Sequence, residues 1–410
     1  MTSFAFDSLV TAPQTLIGDE LGFIGRDGAL VVNGGAAVTA SETSDLIVLG
    51  ALVSSGSGDA AYSFSGITTT VLIGPDGYAA STLASAISAS VSQRAFINNS
   101  GVIDSGFRGV QVFASETGAN ITVQNSGEIR SGVTGVSYFG VYVSHGDGSA
   151  DIVNTGLISA AASAVRIANN ATGAVEFIND GTVISYGGNL SFNNPSAAQD
   201  RVVNRGTMEG DVGLGAGADF YDGRLGVLTG SVNGGGGNDT VLGSAVADFA
   251  LGQEGDDVLR GFAGHDSLDG GLDNDRVEGG LGDDTLIGDA GFDTLYGNGG
   301  DDLLNGGGRT DQIVGGKGDD TMTGGGGGDI FVIRRVGNGD DEVTDFQNNA
   351  DVVDISAFGV QNFNALKNSF NALSQTTDGV LVDLEAAGGS GSILLKGVTV
   401  ADMDASDFIF

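Results

Sequence analysis

Cysteine and tryptophan are absent from this chain of 410 residues, proline occurs 3 times and histidine 2 times. Without cysteine there is neither a disulfide framework nor a thiolate metal site. With so little proline, neither a collagen-like helix nor a proline-rich linker can be built. Basic residues are also scarce: 16 Lys and Arg stand against 52 Asp and Glu, a formal charge of −36. Nucleic acid and anionic membrane surfaces are poor partners for such a chain, and cations are good ones. Long apolar runs are missing as well. The longest, residues 46–53, contains a glycine and falls far short of the ~18 residues that span a bilayer, so no membrane span is expected. Residues 1–21 lack a basic region followed by an apolar stretch, so a cleavable N-terminal export signal is not expected. Hydrophobic residues make up 40% of the chain, too many for a disordered acidic tail.

Glycine is what the chain has in excess, 73 of 410 residues, against roughly 7% in ordinary globular chains. It falls into two repeat systems. In the first half, apolar-x-Asn-x-Gly-x-apolar recurs at Ile97/Asn99/Gly101/Ile103, Val123/Asn125/Gly127/Ile129, Ile152/Asn154/Gly156/Ile158, Phe177/Asn179/Gly181/Val183 and Val202/Asn204/Gly206/Met208. Short alternating segments lie between the copies, among them Val110/Val112, Val141/Val143 and Val165/Ile167. Period-2 alternation means strands with one buried face. Three such strands every ~25 residues, broken by Asn and Gly, describe the rung of a right-handed parallel β-helix. An antiparallel sandwich is the competing arrangement, but it needs no fixed Asn-x-Gly. Before residue 96 the pattern weakens. Ile24-Gly25-Arg26-Asp27-Gly28 and Ile73-Gly74-Pro75-Asp76-Gly77 echo each other as degenerate rungs, and the Ala/Ser-rich residues 79–92 are compatible with a helix.

From Gly234 the period becomes nine. Eleven consecutive nonapeptides follow the template G-G-x-G-x-D-x-U-x through Val332, with U large and apolar. Position six is always Asp. Asp239, Asp257, Asp275, Asp293, Asp311 and Asp329 belong to odd repeats, and Asp248, Asp266, Asp284, Asp302 and Asp320 to even ones. Two repeats make one flattened coil, so residues eighteen apart stack on one edge. Carboxylates stacked at strand separation, ~4.8 Å, repel unless a cation lies between them. Oxygen-only ligands in a flexible cage select Ca²⁺ over Mg²⁺ or Zn²⁺. Counting the spaces between stacked Asp residues, five on one edge and four on the other, allows at most nine ions. The bland alternatives, a solvated Gly/Asp linker or surface Asp pairs, leave the apolar eighth position unexplained. The repeat at 243–251 keeps only Gly243 and Asp248, so Asp248 is left out of the expected ligand set. Asp273 and Arg309 replace the fourth-position Gly in two other repeats, which puts their turns in doubt, and a stray copy at 214–222 carries Asp219.

The array at 234–332 resembles the RTX (hemolysin-type calcium-binding) repeat family, which implies a parallel β-roll and secretion through a type I exporter. The stretch from Asn338-Gly339-Asp340-Asp341 through Asp351-Val352-Val353-Asp354 to Asp407-Phe408-Ile409-Phe410 is similar to the C-terminal region of serralysin-type proteins. That resemblance implies a cap carrying an uncleaved export signal, and hence an extracellular or cell-surface location. The expected order is an N-terminal cap with degenerate rungs (1–95), a parallel β-helix (96–210), a transition coil (211–233), the calcium-binding β-roll (234–332) and the C-terminal cap (333–410). Residues 207–233 contain no proline and keep alternating apolar positions, so the helix is expected to run directly into the roll.

No catalytic residue is assigned. The two histidines, His145 and His265, lie in different repeat systems, so the zinc-binding His-Glu-x-x-His of a serralysin protease is absent. No Gly-x-Ser-x-Gly elbow and no phosphate-binding loop occur, Lys317 being followed by Gly318. Polysaccharide lyases and mannuronan epimerases also join a parallel β-helix to RTX modules, which keeps a polysaccharide-modifying enzyme as the alternative. Residues 1–210 contain no Lys, however, and Arg94, Arg108, Arg130, Arg166, Arg201 and Arg205 fall at different offsets from the rung glycines. Asp104, Asp147 and Tyr138 are the available acid–base groups. The favoured expectation is a secreted or surface-attached calcium-binding solenoid with a structural or adhesive role in a matrix, biofilm or surface layer. Its partners would be the exporter, a cell-surface or matrix polysaccharide, or further copies of itself.

Overall fold

The computed structural model describes all residues except 1, 34, 56–59, 133–137, 169–172, 187–191, 196, 335, 336, 338, 386 and 387. Asn338 of the C-terminal motif therefore lies outside the described residues. The chain is nearly all β and divides into two compact units, Met1–Asn233 and Gly234–Phe410.

The first unit is a parallel β-helix. One of its sheets stacks ten short strands, among them Val102–Ser105, Glu128–Ser131, Leu157–Ala160, Thr182–Ser185 and Thr207–Glu209. Its register places Ile103, Ile129, Ile158, Val183 and Met208 in one buried row. The facing strands align Ile97, Val123, Ile152, Phe177 and Val202 in another. The Asn-x-Gly motif has a separate physical reason for each residue. Asn99, Asn125, Asn154, Asn179 and Asn204 form a buried ladder in which each Nδ2 donates to the next Oδ1, at 2.8, 2.7, 2.8 and 2.9 Å. At the glycine the rungs touch: a Cβ on Gly127 would lie 2.1 Å from the Gly101 carbonyl, and one on Gly181 2.2 Å from that of Gly156.

The early rungs are regular rather than degenerate. Glu20–Ile24, Val38–Val48, Tyr62–Ile73 and Ile87–Asn99 pair in parallel, with Ile24, Val48 and Ile73 occupying the row that Asn99 continues. The glycine row persists there, since a Cβ on Gly50 would meet the Gly28 carbonyl at 2.1 Å and one on Gly101 the Gly77 carbonyl at 2.2 Å. An aliphatic row in place of the Asn ladder hid these rungs in the sequence. The helix expected within 79–92 is not formed. Strands Tyr78–Ser81 and Ile87–Asn99 occupy its two ends around a short connection at 82–86, with Ile87, Ala89 and Val91 inside and Ser88 and Ser90 outside. Alternation and cross-rung pairing outweigh the helix preference of alanine. Within 211–233, Val212–Ala216 and Phe220–Asp222 pair with Phe192–Asn193 and Arg201–Asn204, so this stretch carries rung strands.

The second unit is a β-roll. Strands such as Val258–Ala263, Arg276–Leu281 and Thr294–Gly299 stack on one face, and Ser267–Leu272, Thr285–Ala290 and Leu303–Gly308 on the other, each paired in parallel with its counterpart eighteen residues on. The position-eight side chains from Val241 to Phe331 fill the space between the faces. Beyond the repeats, Asp340–Val343 and Val352–Asp354 add one strand to each face. Ser392–Lys396 and Phe408–Ile409 then cover these two, and Ser392–Lys396 turns back antiparallel on Gly379–Asp383. A solenoid end left bare would expose both the core and unpaired backbone, and this segment closes it.

Candidate metal centre

Each turn of the roll is built so that its aspartate folds inward. Position one is Gly because the carboxylate of the same repeat occupies the place of a side chain: a Cβ on Gly279 or Gly315 would lie 2.2 Å from Oδ2 of Asp284 or Asp320. Positions two and four take left-handed backbone, as at Gly280 (φ +132°), Gly282 (+113°), Gly316 (+124°) and Gly318 (+114°). Where the template is broken, the backbone keeps this conformation except at Ser244 and Val246 of the 243–251 repeat. Asp273 (φ +75°) and Arg309 (+85°) replace Gly at position four, and Phe262 (+75°) at position two, at a cost of roughly 1–2 kcal/mol each for a residue with a Cβ.

Within this frame the Asp residues form two ladders. The backbone N–H of each donates to Oδ1 of the Asp eighteen residues later. On one edge the bonds run from Asp239 to Asp257 (2.7 Å), then to Asp275, Asp293, Asp311 and Asp329 (2.8 Å each). On the other they run from Asp248 to Asp266 (2.9 Å), Asp284 (2.8 Å), Asp302 (2.8 Å) and Asp320 (3.0 Å). All ten expected ligand residues are buried, Asp284 at 2% exposure. The second oxygen decides what these ladders can hold. Oδ2 of Asp257, Asp266, Asp275, Asp284, Asp293, Asp302, Asp311, Asp320 and Asp329 is buried and accepts no hydrogen bond. A buried carboxylate oxygen with no donor is costly. Burial accordingly pushes these carboxyls up, Asp275 to about 8, Asp257, Asp302, Asp311 and Asp320 to about 7, and Asp266, Asp293 and Asp329 to about 6. The neighbouring Asp charges add to the effect.

Rows of buried, donor-free carboxylate oxygens fit a hard cation. No group of three or more His, Asp or Glu side chains converges among the described residues. A cation here therefore has its carboxylates from stacked turns and draws further oxygens from the backbone, the donor set of Ca²⁺. Asp248 differs from the rest, because its Oδ2 already accepts from Ser244 N–H at 2.5 Å and Ser244 Oγ at 3.1 Å.

The C-terminal ends of both ladders lie beyond the nonapeptides and escaped the sequence pattern. Asp320 N–H donates to Asp341 (3.1 Å) and Asp329 N–H to Asp351 (3.0 Å), whose Oδ2 in turn accepts from Gln347 N–H (2.7 Å). Asp345 accepts from Gly324 N–H (2.9 Å) and Gly325 N–H (2.8 Å). The available signal was Asp-x-apolar without its glycines, Asp341 before buried Val343 and Asp351 before buried Val353.

The other chemistry-bearing residues do not assemble. His265 stands in the fifth-position ladder, where its Nδ1 accepts from Asp283 N–H at 3.0 Å as Asp283 Oδ1 accepts from Asp301 N–H at 2.9 Å. His145 is buried in the β-helix, with Nδ1 donating to the Gly146 carbonyl at 3.1 Å, and burial lowers its pKa. Asp104 accepts from Tyr78 Oη (3.4 Å), Asp147 from Gly118 N–H (2.7 Å), and Tyr138 packs edge-on against Phe107.

Among the described residues no helix is long and apolar enough to cross a membrane. A search of curated proteins found no match. Among solved structures the chain is similar to the AlgE6R3 subunit of the Azotobacter vinelandii mannuronan C5-epimerase, determined in solution. Identity is 30% over 34% of this chain and 78% of that one, with a TM-score of 0.15. A family model for the RTX calcium-binding nonapeptide repeat matches in four copies, at residues 231–250, 242–277, 278–308 and 305–332. Residues 231–332 are accordingly an array of RTX calcium-binding nonapeptide repeats.

Proposed function

We propose that this protein is an extracellular structural or adhesive solenoid, delivered by a type I exporter and folded by calcium once outside. The observation that carries the proposal is the double row of buried Oδ2 atoms with no donor. Bound calcium supplies the positive charge that these oxygens lack. Asp239, Asp257, Asp275, Asp293, Asp311 and Asp329 hold ions on one edge, and Asp266, Asp284, Asp302 and Asp320 on the other. The Ser244 contacts at Asp248 remove one space, leaving eight of the nine counted from the sequence. Where calcium is scarce, inside the cell, closing the roll would desolvate and crowd the carboxylates, so it remains open for passage through a narrow channel. At millimolar calcium outside, a site with a dissociation constant of ~10⁻⁴ M contributes about 1.4 kcal/mol. Eight such sites contribute on the order of 10 kcal/mol, the scale of a whole domain's stability. Among its described residues the β-helix contains no such double row, and it folds largely independently of calcium. Hydrogen exchange of the full chain in chelator and in 5–10 mM calcium, roughly ten or more times the dissociation constants of extracellular sites, tests the switch. Protection in 234–332 is expected only with calcium, and protection in 96–210 in both. Full protection of 234–332 in chelator would refute it. Loss of the protein from culture medium on deletion of the exporter tests the route.

A further inference from the structure

The ten-strand sheet of the β-helix carries on its outer face an open cavity of about 640 Å³, within the range of roughly 300–1,000 Å³ typical of small-ligand sites. The inner face of the same strands holds the buried row of Ile103, Ile129 and Ile158. One residue further on, alternation turns the side chains outward, and the register sets Ala80, Asp104, Arg130 and Ser159 side by side on successive rungs. All four line the cavity, together with Tyr78 and Tyr186. Tyr78 belongs to the first rung of the lining. Tyr186 follows Thr182–Ser185, the strand four rung steps later, and four steps at ~4.8 Å span about 19 Å. Tyr186 is 51% exposed and Tyr78 36%. With 7 tyrosines and no tryptophan in the whole chain, two exposed tyrosine rings on one cavity concentrate its stacking surface.

The charges between the rings do not favour an anion. Tyr78 Oη donates to Asp104 at 3.4 Å. Arg130, beside Asp104 in register, is paired with Glu128 of its own strand. Two acids therefore face one base, and the patch is net negative. Residues 133–137 and 187–191, next in sequence to two lining residues, contain no charged side chain, so this balance holds with them included. Hydrogen-bonding capacity remains on both sides of the pair: Asp104 accepts, and Arg130 has five N–H donors, of which the Glu128 contact uses only part. Vicinal hydroxyls, each both donor and acceptor, satisfy such a set, and the C–H faces of sugar rings pack on tyrosine. The strands of the floor are paired on either side, which leaves no strand edge for a peptide. A floor of straight stacked strands suits a flat ribbon rather than a coiled chain.

We propose that this cavity binds an extended neutral glycan, a β-1,4-linked chain of pyranose rings lying across the rungs, with Tyr78 and Tyr186 against its rings and Asp104 and Arg130 on its hydroxyls. The site deepens the adhesive reading and rests on it for access to extracellular glycans. Calorimetric titration of the full chain, with free calcium held constant, tests it with cellohexaose and mannohexaose as the neutral probes. Maltohexaose is the coiled counterpart and C6-carboxylated cellohexaose the acidic one. At least one neutral β-1,4 chain is expected to bind about tenfold or more tighter than either counterpart, the scale of one charge-assisted hydrogen bond. Tyr186→Ala, at an exposed position outside the strands, should weaken that binding about tenfold, and Asp104→Ala by at least as much. No binding of either neutral chain, equal or tighter binding of maltohexaose or of the carboxylated chain, or binding that both substitutions leave unchanged would each overturn the proposal. Calcium uptake is titrated on the same samples. Normal uptake without glycan binding counts against the cavity alone, and glycan binding by a chain that takes up no calcium counts against the ladders alone.

Discussion

Asp284 offers the sharpest test of the ladders, because it takes part in two spaces at once. Its Oδ1 accepts from Asp266 N–H at 2.8 Å, its own N–H donates to Asp302 Oδ1 at 2.8 Å, and its Oδ2 is buried with no donor. Asp284→Asn keeps an acceptor for Asp266 N–H and removes only the charge. In 1 mM calcium it should lose the two adjacent sites, about 3 kcal/mol at ~1.4 kcal/mol each. In chelator, where the roll stays open, it should change nothing. Asp284→Ala should cost a further ~1–3 kcal/mol in calcium, because Asp266 N–H is then left unsatisfied in a buried place. Denaturant unfolding of the three full-length proteins, at each of several calcium concentrations, separates these contributions. Equal destabilisation of Asp284→Asn with and without calcium, or an unmoved calcium midpoint, would refute the assignment of Oδ2 as a cation ligand.

Acid should stabilise the calcium-free roll. Its folded-state carboxyl pKa values are raised, reaching about 8 at Asp275 and about 7 at Asp302, so between the ordinary carboxyl range and about pH 8 the folded form holds more protons than the unfolded. That stabilisation is present at low pH and lost as pH rises through the folded values; a larger β signal by circular dichroism in chelator at pH 8 than at pH 5 would contradict it. With calcium present the same protons compete for the ligands, so the calcium midpoint should rise as pH falls, measurable by calorimetric titration. Replacing Ser244 with Gly removes the Oγ donor to Oδ2 of Asp248 but keeps the backbone N–H donor, so the number of bound ions per chain, counted by equilibrium dialysis, should stay unchanged. Asn154→Leu removes the hydrogen bonds to Asn179, Gly156 and Thr182 and the one from Asn125. It should destabilise the β-helix by about 2–4 kcal/mol, at ~1 kcal/mol per bond, to the same extent in calcium and chelator.

The repeats were legible because each repeated residue meets its own copy one coil away. An Asn that bonds only to another Asn, or an Asp whose N–H needs the next Asp, must recur at a fixed spacing, and that recurrence is visible in a single sequence. What stayed hidden was whatever satisfied the same geometry with different chemistry. Ile24, Val48 and Ile73 fill the Asn row with aliphatic packing, so the first rungs kept their glycines and lost their signature. Alanine and serine at 79–92 suit a helix by propensity, and only pairing with rungs on either side makes them strands. At the C-terminal end, Asp341 and Asp351 meet ladder donors after 21 and 22 residues instead of 18, because loops replace the Gly-rich turns. The same substitution of chemistry explains how the ladders end. Ser244 at the start and Gln347 N–H at the finish supply donors to the second carboxylate oxygens, Oδ2, which along the ladders between have none. On the proposed reading, calcium dependence belongs to the other turns of the roll, where the protein provides oxygens and leaves out the hydrogens.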